Sequence, residues 1–105
     1  MSLITTEIVP TVEKIINITS ERTGIPAQVL VDKKYRASNA TEARQIAMYL
    51  TRKLTYLSYP QIAVAFNQST HNGACYADKR VASRARVDER FQQKLVAIIN
   101  AIEAH

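Results

Sequence analysis

Apolar positions recur every three to four residues in three long segments, and each predicts an amphipathic helix. Near the N-terminus, Ile8, Val12, Ile15, Ile16 and Thr19 share one face, with Thr6 as a cap and Gly24 as a stop. In the middle, Ala43, Ile46, Ala47, Leu50, Leu54 and Leu57 form the longest stripe. Asn39 is placed to cap it, with Glu42 three residues on as a capping-box partner. At the C-terminal end, Phe91, Leu95, Ile98, Ile99 and Ile102 repeat the pattern after a cap at Asp88. Stripes of this width bury against one another, so they predict a helical core.

Shorter pieces lie between them. Pro26 suits a first helical turn and predicts a short helix from Pro26 to Leu30 or Val31. Residues 32–38 have no period and carry Lys33, Lys34 and Arg36, which predicts an exposed basic loop. Ser58 then caps a helix of about two turns, with Pro60 in the first turn, Gln61 returning the bond, and Ile62, Ala63, Ala65 and Phe66 facing inward. Asn67 to Thr70 breaks that helix, and Ser69 or Thr70 can cap the next, expected from about His71 to about Ser83. Its inward positions are Ala74, Cys75, Ala77, Asp78 and Val81. No segment alternates as a strand would. The expectation is therefore an all-α, compact bundle of five to six helices with a helix-turn-helix at about 59–83, and residues 1–105 forming one domain.

Charge changes this picture. Between Lys33 and Arg86 stand ten basic residues against two acids, Glu42 and Asp78, while both flanks are slightly acidic; the chain as a whole carries +5. A basic middle suits a polyanion partner, because neutralising phosphates releases counterions. A solvated basic surface fits the charge equally well. The remaining composition excludes more than it selects. A single cysteine, Cys75, cannot form an internal disulfide, no apolar run approaches the roughly 18 residues of a membrane span, and the expectation is a cytoplasmic, soluble protein with no membrane partner. His71 and His105 are far apart, there is no metal spacing and no Gly-rich phosphate loop, so no enzyme, metal or cofactor is expected.

A helix end aimed into a major groove offers backbone N–H groups to phosphate and short polar side chains to base edges. Ser69, Thr70, His71 and Asn72 are such side chains, although a histidine at a helix start needs no ligand to explain it. Gly73 is awkward in a helix, where glycine costs roughly 1 kcal/mol relative to alanine. Close approach of the backbone to DNA or to a neighbouring helix would account for it. Two short helices joined by a tight turn also occur in proteins that never touch DNA.

The string Glu42-Ala-Arg-Gln-Ile-Ala-Met-Tyr-Leu50, then Arg52-Lys-Leu-Thr55, Leu57-Ser-Tyr-Pro-Gln-Ile62 and Ala65-Phe66 is more specific. It resembles the C-terminal DNA-binding domain of the bacterial replication initiator DnaA, a helical fold related to that of the Trp repressor, over roughly residues 11 to 104. The resemblance implies double-stranded DNA as partner and a role for each matching position. Arg36, flanked by Lys33 and Lys34, would enter the minor groove. Arg44 and Gln45 would hold backbone phosphates, as would Arg52, and Pro60 would lie against the DNA. Lys79 and Arg80 match the basic pair near the end of the recognition helix.

The family signature after Ala-Phe reads Gly-Gly-Arg-Asp-His-Ser/Thr-Thr-Val, whereas this chain reads Asn67-Gln-Ser-Thr-His-Asn-Gly-Ala74. His71 is kept, but the arginine becomes Ser69, the aspartate becomes Thr70, and the hydroxyl pair becomes Asn72 and Gly73. The resemblance therefore implies duplex binding with a preference altered from the initiator's usual box. The ATPase domain of the initiator finds no counterpart in these 105 residues. The expected role is a regulator of replication or transcription, with replication or transcription proteins as candidate protein partners. The alternative is an interaction module, or an antagonist of an initiator, that has lost specific DNA binding. Monomer and dimer are both open, with Ile98, Ile99 and Ile102 or the N-terminal helix as pairing surfaces.

Overall fold

The computed structural model describes residues 10–32, 34 and 37–104, and within these six helices succeed one another with no strand. Thr6 and Ile8 of the first predicted helix, and Lys33 and Arg36 of the basic loop, lie outside the described residues. The first helix, α1, spans Val12–Thr23 and is capped by Thr11, whose hydroxyl accepts the Lys14 N–H at 3.1 Å. Gly24 ends it with φ of 77°, a left-handed conformation in which glycine is unstrained, as the sequence predicts. The short α2, Ala27–Leu30, follows Pro26.

The long helix α3 spans Ser38–Leu54 and starts without the predicted capping box. Asn39 accepts the N–H of its own neighbour Ala40, and Glu42 is drawn across the molecule to Arg84 and Lys94. Leu57 falls beyond the helix but still packs under the next one. At α4, Tyr59–Ala65, the predicted capping box is present in full. Ser58 accepts the Gln61 N–H, and the Gln61 side chain accepts the Ser58 N–H at 2.8 Å. Helix α5 spans Asn72–Val87, a turn longer than expected, because nothing in its sequence breaks the helix before Asp88. Asp88 then caps α6, Glu89–Glu103, by accepting the Phe91 N–H at 3.0 Å.

Two clusters hold these helices. The larger joins α1, α3, α5 and α6 through Ile15, Ile18, Ile46, Leu50, Val81, Phe91, Leu95, Ile98 and Ile102. The smaller seats the helix-turn-helix on the opposite side of α3 through Ala47, Met48, Ile62, Phe66, Ala74 and Ala77. Four of the positions at that seam, Ala47, Ala63, Ala74 and Ala77, are buried alanines, which let the helix backbones approach closely. Phe66, fully buried, fills the space they leave. Ile98 and Ile102 are buried in the protein's own core, so they are not an external pairing surface.

Candidate nucleic-acid interface

The turn between α4 and α5 sets how the second helix is presented. The Gln68 N–H bonds back to the Ala63 carbonyl at 2.8 Å and the Asn67 N–H to the Val64 carbonyl at 3.2 Å, while Asn67 takes a φ of 56°. This Schellman pattern satisfies the last carbonyls of α4 and turns the chain sharply toward α5. Gln68 then folds over Gly73: its amide donates to the Phe66 carbonyl, and a Cβ on Gly73 would meet its Oε1 at 3.2 Å. The nearest atoms to such a Cβ all belong to the flexible Gln68 side chain, which could give way by a few tenths of an ångström, so no neighbouring helix accounts for Gly73.

Ser69, Thr70, His71 and Asn72 are all exposed at the start of α5. His71 occupies the cap position without a side-chain cap bond, and the Thr70 hydroxyl accepts the Asn72 N–H at 3.3 Å. Along the outer face of α5 follow Tyr76, Lys79 and Arg80, also exposed. Tyr76 stands one turn from Asn72 and one from Arg80, and Arg80 donates to its hydroxyl at 3.4 Å. Sequence reasoning missed Tyr76, which the spacing of four on either side could have identified as sharing the face of Asn72 and Arg80.

Helix α3 brings its N-terminal half to the same face. Ser38, Thr41 and Gln45 line one groove together with Tyr76 and Arg80. Gln45 and Arg80, 35 positions apart in sequence, therefore share a surface. Arg44 does not join them. It is only 7% exposed, and its guanidinium donates through Nε to the Leu30 carbonyl at 2.9 Å and through Nη2 to those of Val29 and Asp32 at 2.9 and 2.7 Å. Burial pushes its pKa below the ordinary guanidinium value, partly offset by the charge of Asp32. The phosphate contact implied by resemblance thus meets a side chain turned inward, because the carbonyls at the end of α2 need a donor and Arg44 supplies a planar fork.

Arg52 is exposed at the far end of α3, its guanidinium 4.7 Å from the centre of the Tyr59 ring and bonded to the Leu57 carbonyl at 3.0 Å. Tyr59 in turn donates to Asp78 at 2.5 Å, which ties α4 to α5 and raises the phenol pKa. Pro60, exposed in the first turn of α4, sits beside this assembly. Lys34 is exposed, with its N–H held by Asp32 at 3.0 Å, and it lines a groove with Asn67.

Arg84, counted among the cations of the basic stretch, is largely neutralised. It bonds Glu42, lies 3.6 Å from Asp88, and stacks over the Phe91 ring with its guanidinium carbon 4.1 Å from the centroid. Glu42 also takes Lys94 at 3.0 Å. Burial pushes the Glu42 carboxyl up, but the bonds and charges of Arg84 and Lys94 outweigh it and hold the group below its ordinary value. No helix among the described residues is long and apolar enough to cross a membrane, and no three potential metal-ligating side chains cluster there.

Comparison with known proteins bears on this arrangement. The family described as bacterial dnaA protein helix-turn-helix matches over residues 12–81, which takes in α1 through most of α5. A chromosomal replication initiator protein DnaA from Corynebacterium jeikeium is 33% identical over 99 residues, covering 94% of this chain and 16% of the relative. Another, from Thermodesulfovibrio yellowstonii, is 35% identical over 92 residues, covering 88% of this chain and 21% of the relative. The chain therefore spans about a fifth or less of the length of these relatives. With its helix-turn-helix seated on a long third helix, the chain belongs to the bacterial dnaA protein helix-turn-helix family.

Proposed function

We propose that this domain binds double-stranded DNA as a regulator of replication or transcription, with a site preference altered from that of the initiators it resembles. The observation that carries the reading is the outer face of α5. Its start, where His71 makes no side-chain cap bond, exposes Ser69, Thr70, His71 and Asn72, and Tyr76, Lys79 and Arg80 continue the exposed surface along the helix. Short polar groups at a helix start suit base edges, and cations further along suit phosphate. Support comes from Gln45, which lines a groove with Tyr76 and Arg80, from Arg52, which lies over Tyr59 next to Pro60, and from Lys34, which lines a groove with Asn67 of the turn. In this division of labour Arg52, Lys79, Arg80, Lys34 and Lys33 contact phosphates, and Arg36 enters the minor groove. Gln45 hydrogen-bonds the backbone, and His71 and Asn72 discriminate between bases.

The altered preference follows from Thr70, Asn72 and Gly73, which stand where the family signature has an acid and two hydroxyl residues. An acid accepts from cytosine, and a threonine methyl packs on thymine. Losing two such contacts weakens binding to the initiator's box by about 1–3 kcal/mol each. The test is selection of bound duplexes from a random pool, followed by affinity measured against salt. Each phosphate neutralised contributes about −0.9 to the log–log slope. The reading expects a slope of about −4.5 for these five phosphate contacts and a recovered site different from the box. Affinity that does not fall with salt would overturn it in favour of a protein-interaction role.

A further inference from the structure

Asn67 is the one described residue other than glycine with positive φ. Its backbone closes the turn after α4 through main-chain bonds alone, so its side chain is not needed for the turn. That side chain reaches elsewhere: Nδ2 donates to the carbonyl of Val31 at 2.8 Å, across 36 residues of sequence. The carbonyls on either side of Val31, those of Leu30 and Asp32, accept from Arg44, as does that of Val29. Four consecutive carbonyls at the root of the basic loop are therefore held by two side chains, one from α3 and one from the helix-turn-helix. The chain leaves this clamp toward Lys34, whose N–H is held by Asp32.

We propose that Asn67 is a positioning residue that couples the helix-turn-helix to the basic loop, so that both engage a duplex in one fixed register. The proposal rests on the DNA-binding reading above. The physical argument is preorganisation. Two contact sets on one rigid body bind together without further ordering, whereas a loop freed from its anchor must be ordered on the DNA at a cost in affinity. Among the described residues Arg44 bonds the loop root to α3, and Asn67 bonds it to the helix-turn-helix, against whose apolar cluster the Val31 side chain also packs.

The substitution Asn67→Gly tests this, because glycine accepts the left-handed backbone without strain and removes the side chain that bonds Val31. On a duplex selected from a random pool, Lys34→Ala identifies by hydroxyl-radical footprinting the nucleotides that the loop protects, and Asn72→Ala those that the start of α5 protects. Asn67→Gly is expected to weaken the first set, preserve the second, and lower affinity about fivefold, the worth of one hydrogen bond. In the free protein, amide exchange at Asp32 and Lys34 should quicken by a similar factor, with Leu95 and Ile98 in α6 unchanged. Unchanged loop protection and unchanged exchange would overturn the proposal alone, as would an equal loss of both protected sets. A parent chain that protects no duplex would overturn the DNA-binding reading and this proposal with it.

Discussion

Replacing Arg44 with lysine separates two roles that the sequence cannot tell apart. The change keeps the positive charge and most of the aliphatic stem, but it exchanges a planar fork for a single ammonium. In the structure the fork makes one buried bond, to Leu30, and two part-buried bonds, to Val29 and Asp32. A bond from a charged donor contributes about 1.5–3 kcal/mol when buried, and solvent access lowers this for the other two. Lysine can recover one or two of the three, so the net loss is about 2 kcal/mol. A domain of this size loses about 4–8 °C of Tm per kcal/mol, which predicts a fall of about 10 °C in thermal unfolding followed by circular dichroism. The salt slope of duplex binding should not change, because no phosphate contact has been removed. An Arg44→Lys variant with parental Tm but weakened DNA binding would refute the reasoning and restore Arg44 to the phosphate-contacting surface.

Three further outcomes follow from the same geometry. The Glu42 carboxylate, held below its ordinary pKa, adds stability that is present above about pH 4.3 and is lost as pH falls through the depressed value; Glu42→Gln should remove that acid-side dependence and cost about 1 kcal/mol at neutral pH in urea titrations. Tyr59→Phe deletes the bond from α4 to Asp78 but keeps the ring under Arg52, so chemical denaturation should show a loss of about 1 kcal/mol. Arg52→Ala should reduce the magnitude of the salt slope by about 1 and weaken all duplexes alike, whereas His71→Ala should relax preference between sequences, both read by fluorescence anisotropy on matched and mismatched sites.

The helices that bury a stripe were legible because period and burial report the same fact. Ile15, Leu50, Phe91, Leu95 and Ile98 are all buried where the spacing put them. Local capping was legible where the partner lay within three residues, as at Ser58 with Gln61 and Asp88 with Phe91. It failed where a distant group competed. Glu42 reads as a capping-box partner on local grounds, but two cations 42 and 52 residues away capture it instead. Arg44 failed for a related reason, since a cation next to an exposed loop gives no local sign that three carbonyls will draw it inward. Tyr76 was missed because an aromatic in a helix reads first as core, and the side facing solvent is decided by how α5 packs on α3. Asn67 was legible as a helix breaker, but not as a tether to Val31, because that pairing exists only once the chain has folded.

The central claim is that α5, the start of α3 and the root of the basic loop form one duplex-binding face. Titration of labelled protein with a selected duplex, followed residue by residue through amide chemical shifts, tests it most directly. The account predicts the largest shifts at Lys34, Gln45, Asn72, Tyr76 and Arg80, with the exposed side of α6 around Arg90, Gln93 and Val96 unperturbed. Shifts concentrated on α6, or spread evenly over the molecule, would contradict it.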